Sequence, residues 1–380
     1  MSLGKRLVVG ITAAAADQPG AHDLWVGSTN QKRLLLAMML RRLPDVAEVL
    51  LVAPTGGAVH PLAAWAGLRV VEPADAVEML DLLIECDAKW LNQNGFDRLH
   101  RRGGRIIAYV PDNLMLRNMQ EVVHGQTGGD IPVAQGYDAA WLHPQHRHMN
   151  QSYCAAIYSP QVRDMPQLWS PIMAERAAME LGNNPFWRPP EHGKFVLGCL
   201  DGNANVSDGF HFPLLAAEHA WRTDRSAISR LLLFNTLHLQ AAAHVNEMIS
   251  ELDIGATPGT VSLEGRFNTM LMLGREIQMV VAHRWADQAP HLFFETLHFG
   301  WPLVHNSDLL ADVGYHYATF DPIGGGAAIL EAARDHAATH ARQAQARRAL
   351  FWQASLDNPA NQRQVADLIA DAFARPPAAA

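Results

Sequence analysis

Short runs of consecutive apolar residues recur along the chain and alternate with stretches in which apolar residues return every three or four positions. The first run, Arg6–Thr12 (RLVVGIT), lacks polar alternation, which is typical of a strand buried on both faces of a parallel sheet. The pattern of a helix follows at Gln31–Leu43. Further apolar runs lie at Glu48–Ala53, Leu68–Val71, Leu82–Cys86, Arg105–Val110 and Ala139–Leu142. Strands and helices that alternate in this order predict a doubly wound parallel sheet.

A stretch rich in Pro, Gly and Asn, Met165–Glu191, interrupts the alternation and predicts a linker between two domains. The pattern begins again with a second buried strand, Lys194–Leu200 (KFVLGCL). Later strand-like runs lie at Arg230–Asn235, Thr260–Gly265, Gln278–Ala282 and Gly314–Phe320. The pattern therefore predicts two Rossmann-like α/β domains, residues 1–180 and 181–345, followed by C-terminal helices at 346–380.

The segment His291–Asp312 (HLFFETLHFGWPLVHNSDLLAD) combines an apolar helix, a turn at Gly300 and a short strand. Glu295 lies inside the apolar helix, where a buried carboxylate requires a partner. Three polar residues follow the strand: His305, Asn306 and Ser307. They stand at the carboxyl end of a strand, where open α/β sheets bind their ligands.

This segment resembles the donor-sugar signature of GT-B glycosyltransferases, which is an acid, seven residues, a second acid, an apolar helix end, Gly and a P-V-V/I strand. Asp287 and Glu295 have that separation and GWPLVHNS follows, although Asp287 stands where the family usually has Glu. The resemblance implies that Glu295 holds the ribose hydroxyls of a nucleotide-sugar and that Asp287 approaches the sugar. The run VAHRW…FGWPLVHNS…GYHYATFD also resembles an uncharacterised bacterial (Burkholderia-type) family with glycosyltransferase-like folds. In the alternative reading, both acids belong to an ordinary Rossmann-like unit.

A GT-B fold implies two Rossmann-like domains that face a central cleft, with the acceptor on the side of the first and the nucleotide held mainly by the second. In such enzymes the closing helix crosses back to the first domain, and the C-terminal helices at 346–380 are long enough for that; in the alternative reading they pack on the second domain. The run before the signature delivers Arg284 and Trp285 to a strand end. The guanidinium of Arg284 suits a diphosphate, and Trp285 offers a stacking face for a base. The loop after Lys194–Leu200 contains Asn203 and Asn205, where backbone amides could cradle phosphate, although it matches neither a Walker loop nor a G-x-G-x-x-G motif.

Three polar residues follow apparent strands of the first half: Asp87, Asp112 and His143. Each is a candidate for the base that removes the acceptor's proton. In the alternative reading they are helix caps or turn residues, which are common roles for Asp after a strand.

Composition narrows the class of protein. With 380 residues, 49% hydrophobic and 18% charged, the chain is typical of a globular protein with room for two domains. The net charge of −8 argues against a strong general attraction to nucleic acid. Three scattered cysteines, the absence of a long apolar run and the lack of signal-peptide flanks predict a cytoplasmic protein without a membrane span.

The sequence contains no Asp-x-Asp motif, and the cluster HPQHRH, which begins at His143, does not place two ligands on one helix face. We therefore predict no metal and no cofactor other than a nucleotide-diphosphate sugar as co-substrate. The predicted function is a metal-independent glycosyltransferase whose acceptor, a glycan, protein, small molecule or DNA, stays open. The alternatives are a GT-B-like sugar-nucleotide epimerase, a DNA-modifying glycosyltransferase and a non-catalytic sugar-nucleotide-binding protein.

Overall fold

A computed structural model describes residues 5–17, 24, 28–56, 58, 60–125, 134–203 and 205–378. The chain forms two compact units, of which the first combines Met1–Ser170 with Trp352–Ala380 and the second is Pro171–Phe351. The division between them falls inside the Pro-rich stretch, and the end of the chain belongs to the first unit.

The first unit is built on a seven-stranded sheet in the order β3-β2-β1-β4-β5-β6-β7, and its neighbouring strands pair in parallel. The strands are β1 (Leu7–Thr12), β2 (Val46–Val52), β3 (Arg69–Val71), β4 (Leu82–Glu85), β5 (Arg105–Val110), β6 (Ala139–Leu142) and β7 (Val162–Asp164). The helices between them are α1 (Ser28–Leu40), α2 (Pro61–Ala66), α3 (Pro73–Met79), α4 (Gln93–Arg101), α5 (Leu114–Val123) and α6 (Arg147–Ile157), with a 3₁₀ turn at Pro144–His146. The strand order reverses between β1 and β4, so this is the topological switch point of the sheet.

The second unit is built on a six-stranded sheet, again with parallel neighbours, in the order β10-β9-β8-β11-β12-β13. Its strands are β8 (Phe195–Cys199), β9 (Ile228–Leu233), β10 (Val261–Leu263), β11 (Met279–Val281), β12 (Leu303–His305) and β13 (Tyr315–His316). Its helices are α7 (Ile172–Glu180), α8 (His211–Thr223), α9 (Ala243–Ser250), α10 (Asp253–Ala256), α11 (Thr269–Met272), α12 (His291–His298) and α13 (Pro322–Arg342), with 3₁₀ turns at Leu237–Leu239 and Asp308–Leu310. Helix α14 (Ala344–Ala354) and helix α15 (Pro359–Phe373) end the chain. The switch point of this sheet lies between β8 and β11.

Each core lies between a sheet and the helices that cover it. In the second unit, Leu197, Leu231 and Ile329 are fully buried, and helices α8 and α13 pack closely against each other. Gly198 lies in the central strand β8, where a Cβ atom would come within 2.8 Å of the Ile277 side chain. Burial of strands on both faces explains why they read as continuous apolar runs.

The predicted α/β fold class with two parallel sheets is confirmed. Strand β7 is absent from the sequence prediction, because it consists of only three residues, Val-Arg-Asp, without an apolar run. Helix α6 is absent from it as well. Residues 237–256 form a 3₁₀ turn, α9 and α10 in succession and not one continuous helix.

Candidate active site

The second sheet brings two chain segments together at its switch point. The chain that leaves β8 leads to Asp201, and the chain that leaves β11 leads to His283 and Arg284. Ligands of open α/β sheets bind in the crevice outside these strand ends. The strand order thus joins residues that are 83 positions apart in the sequence.

Asp201 organises this edge. Its side chain is fully buried, and Oδ1 accepts a hydrogen bond from Nε of Arg284 at 2.8 Å. Oδ2 accepts one from the backbone amide of His283 at 3.2 Å. A buried charge requires such pairing, because an isolated carboxylate in a protein interior is costly. Asp201 therefore determines the direction of the Arg284 guanidinium.

Arg284 stays charged at this position, with only 14% of its side chain exposed. Burial alone lowers the pKa of Arg284, but the carboxylates of Asp201, Asp208 and Asp287 outweigh burial and raise the pKa above its ordinary value. Nη1 lies 3.5 Å from Oδ2 of Asp287. Nη2 makes no hydrogen bond to any residue that the structure describes. Nε and Nη1 of the guanidinium thus lie beside carboxylates, and Nη2 can donate to a further group.

The three predicted residues at the end of β12 are bound to neighbouring segments, and Asn306 supports the Arg284 backbone. Oδ1 of Asn306 accepts a hydrogen bond from the Arg284 amide at 2.7 Å, and Nδ2 donates to the Arg284 carbonyl at 3.2 Å. Oγ of Ser307 donates to the Gln288 carbonyl at 2.5 Å. His305 is fully buried, and its Nε2 lies 2.8 Å from the Val313 carbonyl. Asn306 and Ser307 thus position the chain after β11, whereas the hydrogen bonds of His305 go to the chain after β12.

The two predicted asparagines shape the loop after β8. Asn203 has a φ of 50°, a left-handed conformation that Asn tolerates better than most residues. Its Nδ2 donates to the carbonyls of Asp201 and Phe234, and its Oδ1 accepts from the Phe210 amide at 2.7 Å. Oδ1 of Asn205 accepts from the amide and the hydroxyl of Ser207. A role of this loop in phosphate binding stays a prediction.

The other residues predicted to bind the nucleotide-sugar follow Arg284 in the sequence. Nε1 of Trp285 donates to the Val206 carbonyl at 3.0 Å, which ties this residue to the loop after β8. The Asp287 side chain is 23% exposed beside Arg284. Glu295 lies in helix α12 and is only 3% exposed. Base stacking by Trp285 and sugar binding by the two acids stay predictions.

Sequence reasoning did not select Asp201, Asp208 or His283 as site residues. Asp201 follows a buried strand, which is the same signal that selected Asp87 and Asp112, so it was available in the sequence. The importance of Asp208 depends on the fold of the loop, which brings its carboxylate close to Gly202 and into the field of Arg284.

Asp208 should make stability depend on pH. Burial raises its pKa from 3.8 to about 6, although the charge of Arg284 opposes this shift. Because the pKa is raised in the folded state, the stabilising contribution is present below pH 3.8 and is lost as the pH rises through about 6. We therefore compare the unfolding free energy of the Asp208→Asn variant with that of the wild type. From about pH 4 to about pH 8, the difference should move in favour of the variant by on the order of 2 kcal/mol. Urea denaturation of both proteins at these pH values measures the gain, and an equal difference at both would contradict it.

The switch point of the first sheet brings two cations of helix α1 to two of the predicted catalytic acids. Nζ of Lys32 lies 2.5 Å from Oδ1 of Asp112 and 3.1 Å from the Pro111 carbonyl. Arg33 forms an ion pair with Asp87 and donates through Nε to the Thr12 carbonyl at 2.7 Å. The Lys32 and Arg33 side chains are each 1% exposed, whereas those of Asp112 and Asp87 are 30% and 40% exposed. A cavity borders both acids.

His143 has a more enclosed environment. It is 1% exposed, and its Nε2 and Nδ1 lie 2.7 Å from the Tyr109 hydroxyl and 2.5 Å from Oε1 of Gln167. Burial, followed by the charge of Lys32, lowers the pKa of His143 well below its ordinary value. The imidazole is therefore neutral near pH 7. Its predicted role as a base is not tested by this arrangement.

Within the described ranges, no group of three His, Cys, Asp or Glu side chains is placed to hold a metal ion. The same part of the chain has no helix with both the length and the apolar character needed to cross a membrane. Cys86, Cys154 and Cys199 are free and buried. Metal independence and a cytoplasmic location stay predictions.

Comparison with known proteins places these features in a family. Residues 9–369 match the family described as "Protein of unknown function (DUF2827)". No curated protein matches the chain. The predicted Burkholderia type of the family stays a prediction.

Several solved structures share the architecture. Anabaena HepE, in complex with UDP-glucose, is 12% identical with a TM-score of 0.54, covering 96% of this chain and 100% of that one. A glycosyltransferase from Rickettsia africae is 8% identical with a TM-score of 0.57, covering 97% and 99%. The Thermobaculum terrenum O-GlcNAc transferase is 15% identical with a TM-score of 0.55, covering 97% and 68%. At these identities the likeness concerns the fold alone. The chain therefore belongs to the DUF2827 family and has the fold of the GT-B glycosyltransferases.

Proposed function

We propose that this protein is a metal-independent glycosyltransferase that binds a nucleotide-sugar at the switch point of its second sheet. The observation that carries the proposal is Arg284, a charged guanidinium oriented by the buried Asp201 at that point. Its Nη2 is not engaged by the described residues, so it can donate to an anionic ligand. The GT-B fold supports this assignment, since HepE was solved with UDP-glucose.

A diphosphate leaving group accumulates negative charge as its bond to the sugar breaks. A preoriented cation at that position stabilises the transition state without reorganising during the reaction. Arg suits this role because its planar fork stays charged and can donate two parallel hydrogen bonds to phosphate oxygens. Arg284 would supply this stabilisation, and Asn306 would maintain its backbone position.

Deprotonation of the acceptor requires a base, for which we retain Asp87, Asp112 and His143 as candidates. Asp87 is our first choice, because its side chain is 40% exposed whereas His143 is enclosed. Arg33 would hold the Asp87 carboxylate in place. Asp112 is the second choice, since Lys32 already engages one of its oxygens.

A panel of UDP-, GDP-, ADP-, dTDP- and CMP-sugars tests the function directly. A ligand that binds only the folded state raises its stability, by about 2.7 kcal/mol at a hundred times its Kd. We expect one nucleotide class to raise the melting temperature, and turnover of that donor to persist in EDTA. Failure of the whole panel would contradict the donor assignment. Loss of turnover in EDTA that Mn²⁺ or Mg²⁺ restores would contradict metal independence.

Glu295→Gln tests the predicted ribose contact. A carboxylate that accepts two hydroxyl hydrogen bonds contributes about 1.5–3 kcal/mol, so the variant should bind nucleotide about ten- to a hundredfold more weakly. Calorimetric titration measures this loss, and thermal denaturation shows whether the fold survives. Glu276→Gln, at an exposed position of the same unit, is the matched control. A lower melting temperature with unchanged nucleotide affinity would instead make Glu295 a structural residue.

A further inference from the structure

We propose that Nε2 of His283 accepts a hydrogen bond from a hydroxyl group of the bound ligand, and that the Phe320 ring covers this acceptor before the ligand enters. The inference rests on the proposed function, because it concerns the same switch point. It adds a neutral contact to the charged contact of Arg284.

The hydrogen bonds around His283 determine its tautomer. The Tyr317 hydroxyl lies 2.9 Å from the Ala282 carbonyl and 3.0 Å from Nδ1 of His283. A carbonyl can only accept, so the single hydroxyl proton points to Ala282. Nδ1 of His283 must then carry a proton and donate it to the Tyr317 oxygen. Nε2 is consequently a bare lone pair, able only to accept.

This acceptor has no partner among the described residues, although His283 is only 2% exposed. Buried polar atoms are nearly always hydrogen-bonded, because leaving one unpaired costs free energy. Burial lowers the pKa of His283 to about 4, so protonation does not engage Nε2 near neutral pH. The unused acceptor therefore requires a donor from outside the described chain.

Two other buried histidines of the second unit show the usual arrangement. His305 accepts at Nδ1 from the Ser307 amide, and its Nε2 lies 2.8 Å from the Val313 carbonyl. His336 has Nδ1 at 3.0 Å from the Tyr315 hydroxyl and Nε2 at 2.8 Å from the Gly300 carbonyl. Both rings are satisfied within the protein, and His283 differs from them at Nε2.

The acceptor of His283 and the charge of Arg284 together limit which ligand groups can bind. A lone-pair acceptor binds O–H or N–H donors and repels anions, whereas the neighbouring Arg284 binds anions. A ligand that satisfies both must carry a hydroxyl close to an anionic group. Ribose and hexose units esterified to phosphate have this chemistry, and either could supply the hydroxyl.

Aromatic rings cover His283. The Phe212 ring stacks on the imidazole at a centroid distance of 4.2 Å, and the Phe320 ring lies 5.4 Å away. Phe320 is 55% exposed and has a φ of 66°, a left-handed conformation that is unusual for a bulky residue. Such conformations persist where the surroundings impose them, and they concentrate at ligand-binding and switch regions.

The residues on both sides of Phe320 are anchored. Oγ1 of Thr319 accepts from Nδ2 of Asn306 at 3.1 Å. Oδ1 of Asp321 accepts from the Gly324 amide at 2.9 Å and caps helix α13. The backbone is therefore held, and the exposed ring is the part that can turn away. Its rotation would uncover the imidazole without unfolding the loop.

Nuclear magnetic resonance of the ¹⁵N-histidine-labelled full chain tests the acceptor without any substitution, and spectra of His283→Gln assign the signal. In the free protein we expect His283 to carry its proton on Nδ1. Saturation with UDP-glucose should shift the Nε2 resonance of His283 and leave the ring nitrogens of His336 unchanged. An identical shift with UDP would assign the hydroxyl to ribose, and a shift with UDP-glucose alone would assign it to the hexose.

An Nε2–H tautomer in the free protein, or an unchanged Nε2 resonance at saturation, would overturn the inference and leave the proposed function standing. Absence of UDP-glucose binding also overturns it, whereas the proposed function falls only if the whole nucleotide-sugar panel fails. In titrations, His283→Leu should weaken UDP-glucose binding about tenfold, and His336→Leu should not.

The cover is tested by association kinetics. Phe320→Gly removes the ring and relieves the backbone strain, so it should raise the association rate constant for UDP-glucose several-fold. Phe186→Gly, at a position that is 54% exposed in the same unit, is the matched control and should leave the rate unchanged. An unchanged rate in Phe320→Gly would show that Phe320 does not cover the acceptor.

Discussion

Replacing Arg284 with Met should lower the free energy of unfolding by about 3–5 kcal/mol, because the buried Asp201 carboxyl group loses its partner and must either stay charged or take up a proton, and burial already raises its pKa. Asp201 is fully buried, and its Oδ1 lies 2.8 Å from Nε of Arg284. Water cannot replace the lost partner without entering the switch point. Urea denaturation monitored by circular dichroism measures the loss.

A double-mutant cycle separates the lost pair from the lost packing. The Asp201→Asn/Arg284→Met double variant carries no unpaired charge, so it should regain much of the stability lost in the single variant. Arg176→Met, in the exposed pair with Glu180, is the matched control and should change stability little. A loss of less than about 1 kcal/mol in Arg284→Met would mean that solvent reaches Asp201. If the double variant folds as expected, its nucleotide affinity separately tests the diphosphate role of Arg284.

Replacing Lys32 with Met should destabilise the protein by about 2–3 kcal/mol near neutral pH, through the loss of charge-assisted hydrogen bonds to Asp112 and the Pro111 carbonyl. The expected cost is smaller than for Arg284, because the Asp112 side chain is 30% exposed and water can solvate it in the variant. Lys5→Met removes the exposed partner of Asp81 and should have little effect.

The effect of Lys32→Met should decrease in acid. Although burial raises the pKa of Asp112, the charge and hydrogen bond of Lys32 outweigh it and hold the pKa well below its usual range. A depressed folded-state pKa gives stability that is present above the unfolded value of 3.8 and is lost as the pH falls through the folded value. Denaturation of both proteins at several pH values below 5 measures the trend. A constant difference across that range would exclude the Lys32–Asp112 pair as its cause.

Most strands of the two sheets can be predicted from short stretches of the sequence. Strands such as β1 and β8 read as apolar runs because both of their faces are buried, and the glycines and prolines of Met165–Glu191 interrupt the alternation. Strands without an apolar run are not predicted from the sequence. Strand β7 has three residues, and it is a strand because it pairs with β6.

The candidate site could be predicted only in part from the sequence. The position of Arg284 after a strand was predicted from the apolar run that precedes it. Its partner was not, because Asp201 and Arg284 lie 83 residues apart and meet only through the order of β8 and β11 in the sheet. The internal contacts of Asn203 and Asn306 were likewise unreadable, since a side chain that follows a strand can face the backbone or a ligand with the same sequence pattern.

The sequence by itself determined the alternation of strands and helices, the restart of the pattern at Lys194 and the polar residues that follow the strands. These features depend on hydrophobic periodicity and on Gly and Pro conformations, which act over a few neighbouring residues. The tertiary structure alone decided that Asp201 orients Arg284, that Nε2 of His283 has no partner among the described residues, and that the Phe320 ring lies 5.4 Å from the His283 ring. These properties depend on burial and on contacts between distant segments, which exist only after the strands have taken their order in the sheet.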